Sequence, residues 1–223
     1  MSAPTGVAAL VVAKAPEPGK VKTRLGRDIG MESAARIAAA ALLDTLVACR
    51  AAVDLGPITR CHISLDGDLD AAVCAEELRE ALDGWTVHPQ VGDDFADRLA
   101  DAHARLSGPV VQVGMDTPHA TPAQLADAAA GLADHDAVLG PAEDGGWWVL
   151  ALRDPAYAAA LVGVPMSTDT TGADTRAALE ARGISVGTTA TLRDIDTVPD
   201  ADAAAEAAPG SRFARVWEEL RPR

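Results

Sequence analysis

Aromatic side chains are scarce in this chain, at 3% of 223 residues, while 48% of residues are hydrophobic and many of those are alanine. That apolar share excludes a disordered polypeptide, and the alanine content points to helix-rich surfaces. Cysteine is also sparse. Cys49, Cys61 and Cys74 form an odd set without CxxC spacing, so they read as reduced core residues of an intracellular protein. The apolar run at 7–13 is too short to span a membrane and has no basic segment before it, which argues against a signal peptide. It reads as a buried first strand, and the expected location is cytoplasmic. Positive charge is in deficit, with a formal net charge of −14. Nucleic-acid partners are therefore disfavoured, and the acidic surplus serves solubility. The sequence contains no GxGxxG, no GxxxxGK[ST], no nucleophile elbow and no HExxH, so the dinucleotide, P-loop, hydrolase and zincin fingerprints are all missing.

The length suits one large domain. No repeat, low-complexity tract or long linker divides it, so a single domain is expected over 1–223. Continuous apolar runs at 6–13 and 109–114 read as buried strands. Further strands are expected at 60–65, 85–88, 136–139, 147–152 and 184–186. Helices are expected at 31–51, 68–82, 94–106, from 122 onward, at 173–182 and at 201–220. Asp94 is a predicted N-cap, and TPAQ at 121–124 carries a capping residue, a proline at the first helical position and Gln at the third. Alternating strands and helices predict a three-layer α/β/α sandwich with a mainly parallel, mixed sheet. Ligands of such sheets bind at the carboxyl ends of the strands.

Four loops could carry chemistry there. The first, KAPEPGKVKTRL at 14–25, follows the first strand and holds all three lysines of the chain, Lys14, Lys20 and Lys22, with Arg24 close by. Prolines stiffen it and Gly19 permits close backbone approach. Confining lysine to one loop of an acidic protein suggests an anion site; a solvated basic turn, with its cations exposed, is the alternative. The second loop, GMDTP at 114–118, places Asp116 at a strand end. There it could hold Mg²⁺ or Mn²⁺ against substrate phosphates or simply cap a turn. The third, GPAEDGG at 140–146, is either a hairpin turn or a substrate loop in which Gly145 and Gly146 admit a ligand to the backbone and Asp144 binds a hydroxyl. The fourth, DIDT at 194–197, could complete a metal site or close a turn. His62, His88, His103, His119 and His135 show no clustering in the sequence, and Trp147 and Trp148 are expected to pack on the sheet.

Taken in order, KAPEPGKVKTRL, QVGDDFADRL at 90–99, VGMDTP, GPAEDGGWWVLAL and DIDT resemble the domain-of-unknown-function 2064 family, which is related to the nucleotide-diphospho-sugar transferases of the GT-A fold. Some of its members carry the name glycosyltransferase. The resemblance spans nearly the whole chain. It implies that Lys14, Lys22, Arg24 and Gly19 bind phosphates and that Asp116 holds a metal, Mg²⁺ or Mn²⁺. It further implies a substrate role for Gly145, Gly146 and Asp94, with Asp144 and Asp196 as the candidate catalytic carboxylates. Two departures stand out: Trp148 occupies a tyrosine position, and Met115 and Thr117 flank Asp116 where a DxD would place a second acid. The implied substrate is a nucleotide-sugar, with an NTP as the alternative: the same loops resemble nucleotidyltransferases of this fold, in which a phosphorylated metabolite displaces pyrophosphate. A third option is a nucleotide-binding protein that has lost turnover. A homodimer is left open.

Overall fold

The computed structural model describes residues 6–222, so the outermost positions of the expected domain, 1–5 and 223, lie outside the described residues. Its elements in chain order are β1 (Val7–Lys14), α1 (Thr23–Ile29), α2 (Met31–Ala52), β2 (Ile58–Asp66), α3 (Ala75–Ala81), β3 (Thr86–Pro89), α4 (Phe95–Ala104), β4 (Val110–Gly114) and α5 (Pro122–Ala130). There follow β5 (Ala137–Pro141), β6 (Trp147–Leu152), α6 (Thr171–Glu180), β7 (Val186–Thr188), α7 (Val198–Ala207) and α8 (Arg212–Leu220). The strands form one seven-stranded sheet in the order β3-β2-β1-β4-β6-β5-β7. Among the described strands only β6 runs against the rest, pairing antiparallel with both β4 and β5. β1 is paired on both sides, with Val11 0% and Val12 6% exposed, as its unbroken apolar run predicts.

Helices cover both faces. One face carries β1 residues Ala9, Val11 and Ala13 packed with Leu42, Leu46, Leu78 and Leu125, contributed by α2, α3 and α5. The other carries Ala8, Leu10 and Val12 packed with Leu99, Leu161 and Leu179, from α4, a 3-10 segment at Pro155–Leu161 and α6. Outside the first face, Leu25, Ile37, Ile195, Phe213 and Trp217 form a further cluster that clamps α1, α7 and α8 onto α2. α2 is thus enclosed by the sheet and by α8, and its fully buried Ala34, Ala35, Ala38, Ala39 and Ala41 let both neighbours approach closely. The chain builds a core with few aromatics by bringing backbones together over alanine.

Several sequence expectations change in detail. The helix expected at 68–82 is broken at Cys74, which adopts φ 58, and only Ala75–Ala81 is α-helical. The helix expected at 201–220 is two helices, parted at Pro209 and Gly210, where Gly210 takes φ 84. The end of the first loop is helical: α1 starts at Thr23. The cysteines are not uniformly core, since Cys49 is buried, Cys61 is half-buried and Cys74 is exposed. The histidines do cluster in one place, where the rings of His62 and His88 on adjacent parallel strands stack with centroids 5.5 Å apart. The α4 and α5 caps form as expected, including the reciprocal Thr121–Gln124 capping box.

Candidate active site

Parallel strands deliver their carboxyl ends to one edge, and the loops expected to carry chemistry meet there. They line a cleft of about 700 Å³. Lys14, Lys22, Arg24, Asp116, Asp144, Gly146 and Asp196 all lie on its lining. Gly145, Gly19 and Asp94 do not. Gly19 provides the φ 79 turn that returns the first loop toward the cleft. Asp94 accepts the Asp97 N–H at 2.8 Å as the N-cap of α4. Gly145 packs its backbone against the carbonyl of Asp169.

The basic loop ends on Lys22, the N-cap residue of α1, in the left-handed region (φ 47, ψ 41). That conformation turns the side chain inward instead of out to solvent. Its ammonium lies 2.6 Å from Asp116 Oδ1 and 3.8 Å from Asp196 Oδ1 and also donates to the Ile195 carbonyl; the side chain is only 4% exposed. This corrects the expectation of an exposed loop cation: Lys22 is the internal counter-charge of an acidic cluster. Arg24 fits the expectation better, 71% exposed and 3.1 Å from Asp196 Oδ2. Lys20 pairs with Glu17 at 2.5 Å. The backbone couples the second and fourth loops, since the Ile195 N–H donates to the Asp116 carbonyl at 3.0 Å.

Asp194, in the DIDT loop, also lines the cleft. Burial, followed by repulsion from Asp116 and Asp144, pushes its carboxyl up to about 7, and its Oδ1 is buried without a hydrogen-bond partner. A carboxyl held among carboxylates with one orphaned oxygen is suited to a proton or a cation. Among the described residues no set of three or more His, Cys, Asp or Glu side chains converges as a ready-made metal cage. Asp116 and Asp194 nevertheless fit an ion that takes one or two carboxylates and shares the remaining positions with water and phosphate. The positions flanking Asp116 are otherwise employed. Met115 is buried, with its Sδ accepting the Lys14 N–H at 3.3 Å, and Thr117 is 1% exposed.

The third loop is both things the sequence allowed: a turn between antiparallel β5 and β6 and a wall of the cleft. Asp144 Oδ1 accepts the Gly146 N–H at 2.8 Å, which fixes the carboxylate at the lip. Trp148 packs in the core as expected, its Nε1 donating to the Ala190 carbonyl at 2.8 Å. Trp147 packs against the sheet-face cluster as expected and also lines the cleft.

Sequence reasoning passed over several lining residues. Gln90 reaches across the sheet edge, its Nε2 donating to the carbonyls of Ala13 (2.9 Å) and Ser64 (3.0 Å). Phe95 opens α4 with 43% of its surface exposed. The loop before α6 contributes Met166, Ser167, Thr168, Asp169 and Thr171. Its run of Ser, Thr and Asp was the available signal, and it carries no spacing that separates a site from an ordinary loop.

The family described as "Uncharacterized protein conserved in bacteria (DUF2064)" matches residues 47–168, more than half of the chain. No curated protein matches. Among solved structures, a "putative nucleotide-diphospho-sugar transferase" from Desulfovibrio desulfuricans G20 superposes with a TM-score of 0.79 at 25% identity, over 96% of each chain. Rv0371c of Mycobacterium tuberculosis H37Rv, in complex with manganese, superposes with a TM-score of 0.52 at 20% identity, over 91% of this chain and 99% of that one. A 4-diphosphocytidyl-2C-methyl-D-erythritol synthase from Anaerococcus prevotii gives 0.56 at 11% identity, over 90% and 97%. These last two likenesses are likenesses of fold. No helix among the described residues is long and apolar enough to cross a membrane.

Proposed function

The chain belongs to the DUF2064 family, and from that premise and the geometry of its cleft we propose that it is a nucleotide-utilising transferase that takes a nucleotide-diphospho-sugar donor. One observation carries the reading: cations from a single loop and carboxylates from four others meet in one cleft at the carboxyl edge of the sheet. A sugar nucleotide needs that juxtaposition, because its diphosphate requires cations while the attacking hydroxyl requires a carboxylate. The name of the Desulfovibrio structure points the same way.

In this reading Lys14, Lys22 and Arg24 face the diphosphate, on a loop that the Gly19 turn returns to the cleft. Asp116, assisted by Asp194, would hold Mg²⁺ or Mn²⁺, which supplies charge neutralisation at the leaving diphosphate. The acceptor hydroxyl oxygen forms a bond to the anomeric carbon as the bond from that carbon to the phosphate oxygen breaks, and the diphosphate leaves with the electron pair. The hydroxyl proton passes to a carboxylate. Of the two candidates, Asp196 is engaged by Arg24 and Lys22, whereas Asp144 is held only through Oδ1 by its own turn. Asp144 is therefore the base of this proposal.

The concentration of cations in one loop also supports a second reading. There a phosphate oxygen of a phosphorylated metabolite attacks the α-phosphorus of an NTP, and pyrophosphate leaves onto that loop. Thermal-shift measurements with NTPs and with NDP-sugars, each with and without Mg²⁺ or Mn²⁺, separate the readings, because a ligand specific to the folded state raises Tm. Stabilisation by an NDP-sugar supports glycosyl transfer; stabilisation by NTPs alone supports nucleotidyl transfer. No shift with either overturns both.

A further inference from the structure

The two walls of the cleft differ in charge and belong to different faces of the sheet. Among the described residues, the four lysines and arginines on the lining, Lys14, Lys20, Lys22 and Arg24, come from the end of β1 and the loop and helix after it. The opposite wall, built by Trp147 and the 166–171 loop, contributes an indole, a thioether, three hydroxyls and the carboxylate of Asp169, and no cation. It packs on the face that carries α4 and α6, where Trp147 and Met166 lie against the Leu99, Leu161 and Leu179 cluster.

This wall is constructed, not incidental. Trp147 Nε1 donates to Oγ1 of Thr175, which is fully buried, at 3.2 Å, fixing the plane of the indole. Thr171, 5% exposed, donates from Oγ1 to the Pro165 carbonyl at 2.9 Å and accepts the Thr168 N–H at 3.0 Å. The loop is further locked by backbone interdigitation with the β5–β6 hairpin: the Gly172 N–H donates to the Gly145 carbonyl at 2.8 Å, and a side chain at Gly145 would overlap the Asp169 carbonyl. Within this frame Ser167 is held at φ 60, a conformation that costs a non-glycine residue energy and persists only where its surroundings impose it. Ser167, Thr168 and Asp169 are left exposed.

Resting on the transferase reading, we propose that this wall is the acceptor subsite and that it selects a neutral, polyhydroxylated acceptor and rejects a phosphorylated one. An aromatic plane beside hydroxyls and a carboxylate is the chemistry that receives a sugar-like ring: its C–H face lies on the indole and its hydroxyls donate to Asp169 or exchange hydrogen bonds with Ser167 and Thr168. A phosphate placed here would instead meet Asp169 and Asp144 with no cation to balance it, and like-charge contact is how sites reject wrong partners. Asp169 acts as a positioning residue, orienting the hydroxyl that Asp144 deprotonates. The subsite thereby discriminates between the two chemistries, since the nucleotidyl route needs a phosphorylated metabolite where the wall offers no cation.

Ligand-observed NMR titrations of the intact protein with methyl β-glucoside and myo-inositol as neutral probes, and glucose 6-phosphate as the charged one, test the assignment. The expected result is saturable binding of at least one neutral probe, weaker binding of glucose 6-phosphate, and a loss of neutral-probe affinity of about tenfold in Asp169→Asn. Asp169→Lys should reverse the preference toward glucose 6-phosphate. Ser167→Ala, which removes one hydroxyl, should give a smaller loss and guards against misfolding of the Asp169 variants. Tighter binding of glucose 6-phosphate by the wild type, no binding of either neutral probe, or neutral-probe affinity unchanged in Asp169→Asn overturns the subsite. So does a defect of Asp169→Asn confined to nucleoside diphosphates, which would place the nucleoside on this wall. Thermal shift with UDP, GDP, CDP and ADP plus Mn²⁺ is read separately. Failure there overturns the transferase reading, while failure of the neutral probes alone overturns only the subsite.

Discussion

Lys22 and Arg24 sit two positions apart in the sequence, and the fold assigns them different work. Arg24 is largely exposed, so Arg24→Ala should shift stability by less than about 0.5 kcal/mol. Lys22 is buried against Asp116 and Asp196, and its removal leaves those carboxylates facing Asp194 and Asp144 uncompensated. Losing one partner of a buried pair costs about 3–5 kcal/mol. Because Asp116 is 46% exposed, a cost of about 1–2 kcal/mol is expected here, scaled down for solvent screening. That corresponds to a fall in Tm of about 2–8 °C in calorimetry. Both alanine variants should bind nucleotide roughly ten- to a hundredfold more weakly by isothermal titration if each cation contacts phosphate. Wild-type affinity in both would move the phosphate site elsewhere. Asp116→Asn should keep the fold and weaken nucleotide binding in Mn²⁺ while changing it little without metal. Wild-type affinity both with and without Mn²⁺ would make Asp116 only the partner of Lys22.

At the level of elements, the β5–β6 hairpin and the 166–171 loop act as one unit because glycine backbones meet there. Gly145 takes φ 91, and a Cβ on it would overlap the Asp169 carbonyl. Gly145→Ala therefore combines left-handed strain with a backbone clash, and a loss of roughly 1–3 kcal/mol is expected, read as a lower urea midpoint with unchanged m-value. A stability equal to wild type would show that the two loops separate readily. Gly172 makes the reciprocal approach, where a Cβ would lie 2.6 Å from the Gly146 carbonyl oxygen. These contacts fix the distance between Asp144 on one loop and Asp169 on the other, a distance that neither loop's local sequence sets.

Across the whole molecule, two buried groups give the pH dependence opposite slopes. His103 is fully buried with Nε2 2.8 Å from Gln112 Oε1, and burial pushes its imidazole down to about 4. The unfolded chain takes up that proton near pH 6.5, so between about 6.5 and 4 the unfolded state binds more protons and stability falls as pH falls. Asp194 acts in reverse. Its folded carboxyl titrates at about 7 against about 4 in the unfolded chain, so the folded state holds the extra proton across that window and stability falls as pH rises through it. In Tm measurements between pH 4.5 and 8, His103→Gln should lose less stability than wild type on acidification, and Asp194→Asn should lose less on alkalinisation. Curves parallel to wild type for both variants would mean that neither group is titrated by folding.

The sequence by itself determined the strands and most helices, because those depend on local periodicity and capping, but not the break at Cys74, the division at Pro209 and Gly210, or the short α1. An unbroken apolar run could only be a doubly covered strand, and TPAQ formed its capping box without outside help. It also placed Lys22, Arg24, Asp116, Asp144 and Asp196 at strand ends, which a parallel sheet must gather at one edge. Tertiary structure alone decided the electrostatics and the second wall. Whether Lys22 faces solvent or Asp116 depends on a left-handed turn and on the position of Ile195, a residue 173 positions away. Asp194 is abnormal only because three other loops bring charge and cover to it, and the 166–171 loop lines the cleft while bonded to the β5–β6 hairpin, far from it in sequence. Desolvation and Coulomb interaction act through space, so a one-dimensional pattern records which residues are available and not which of them face one another.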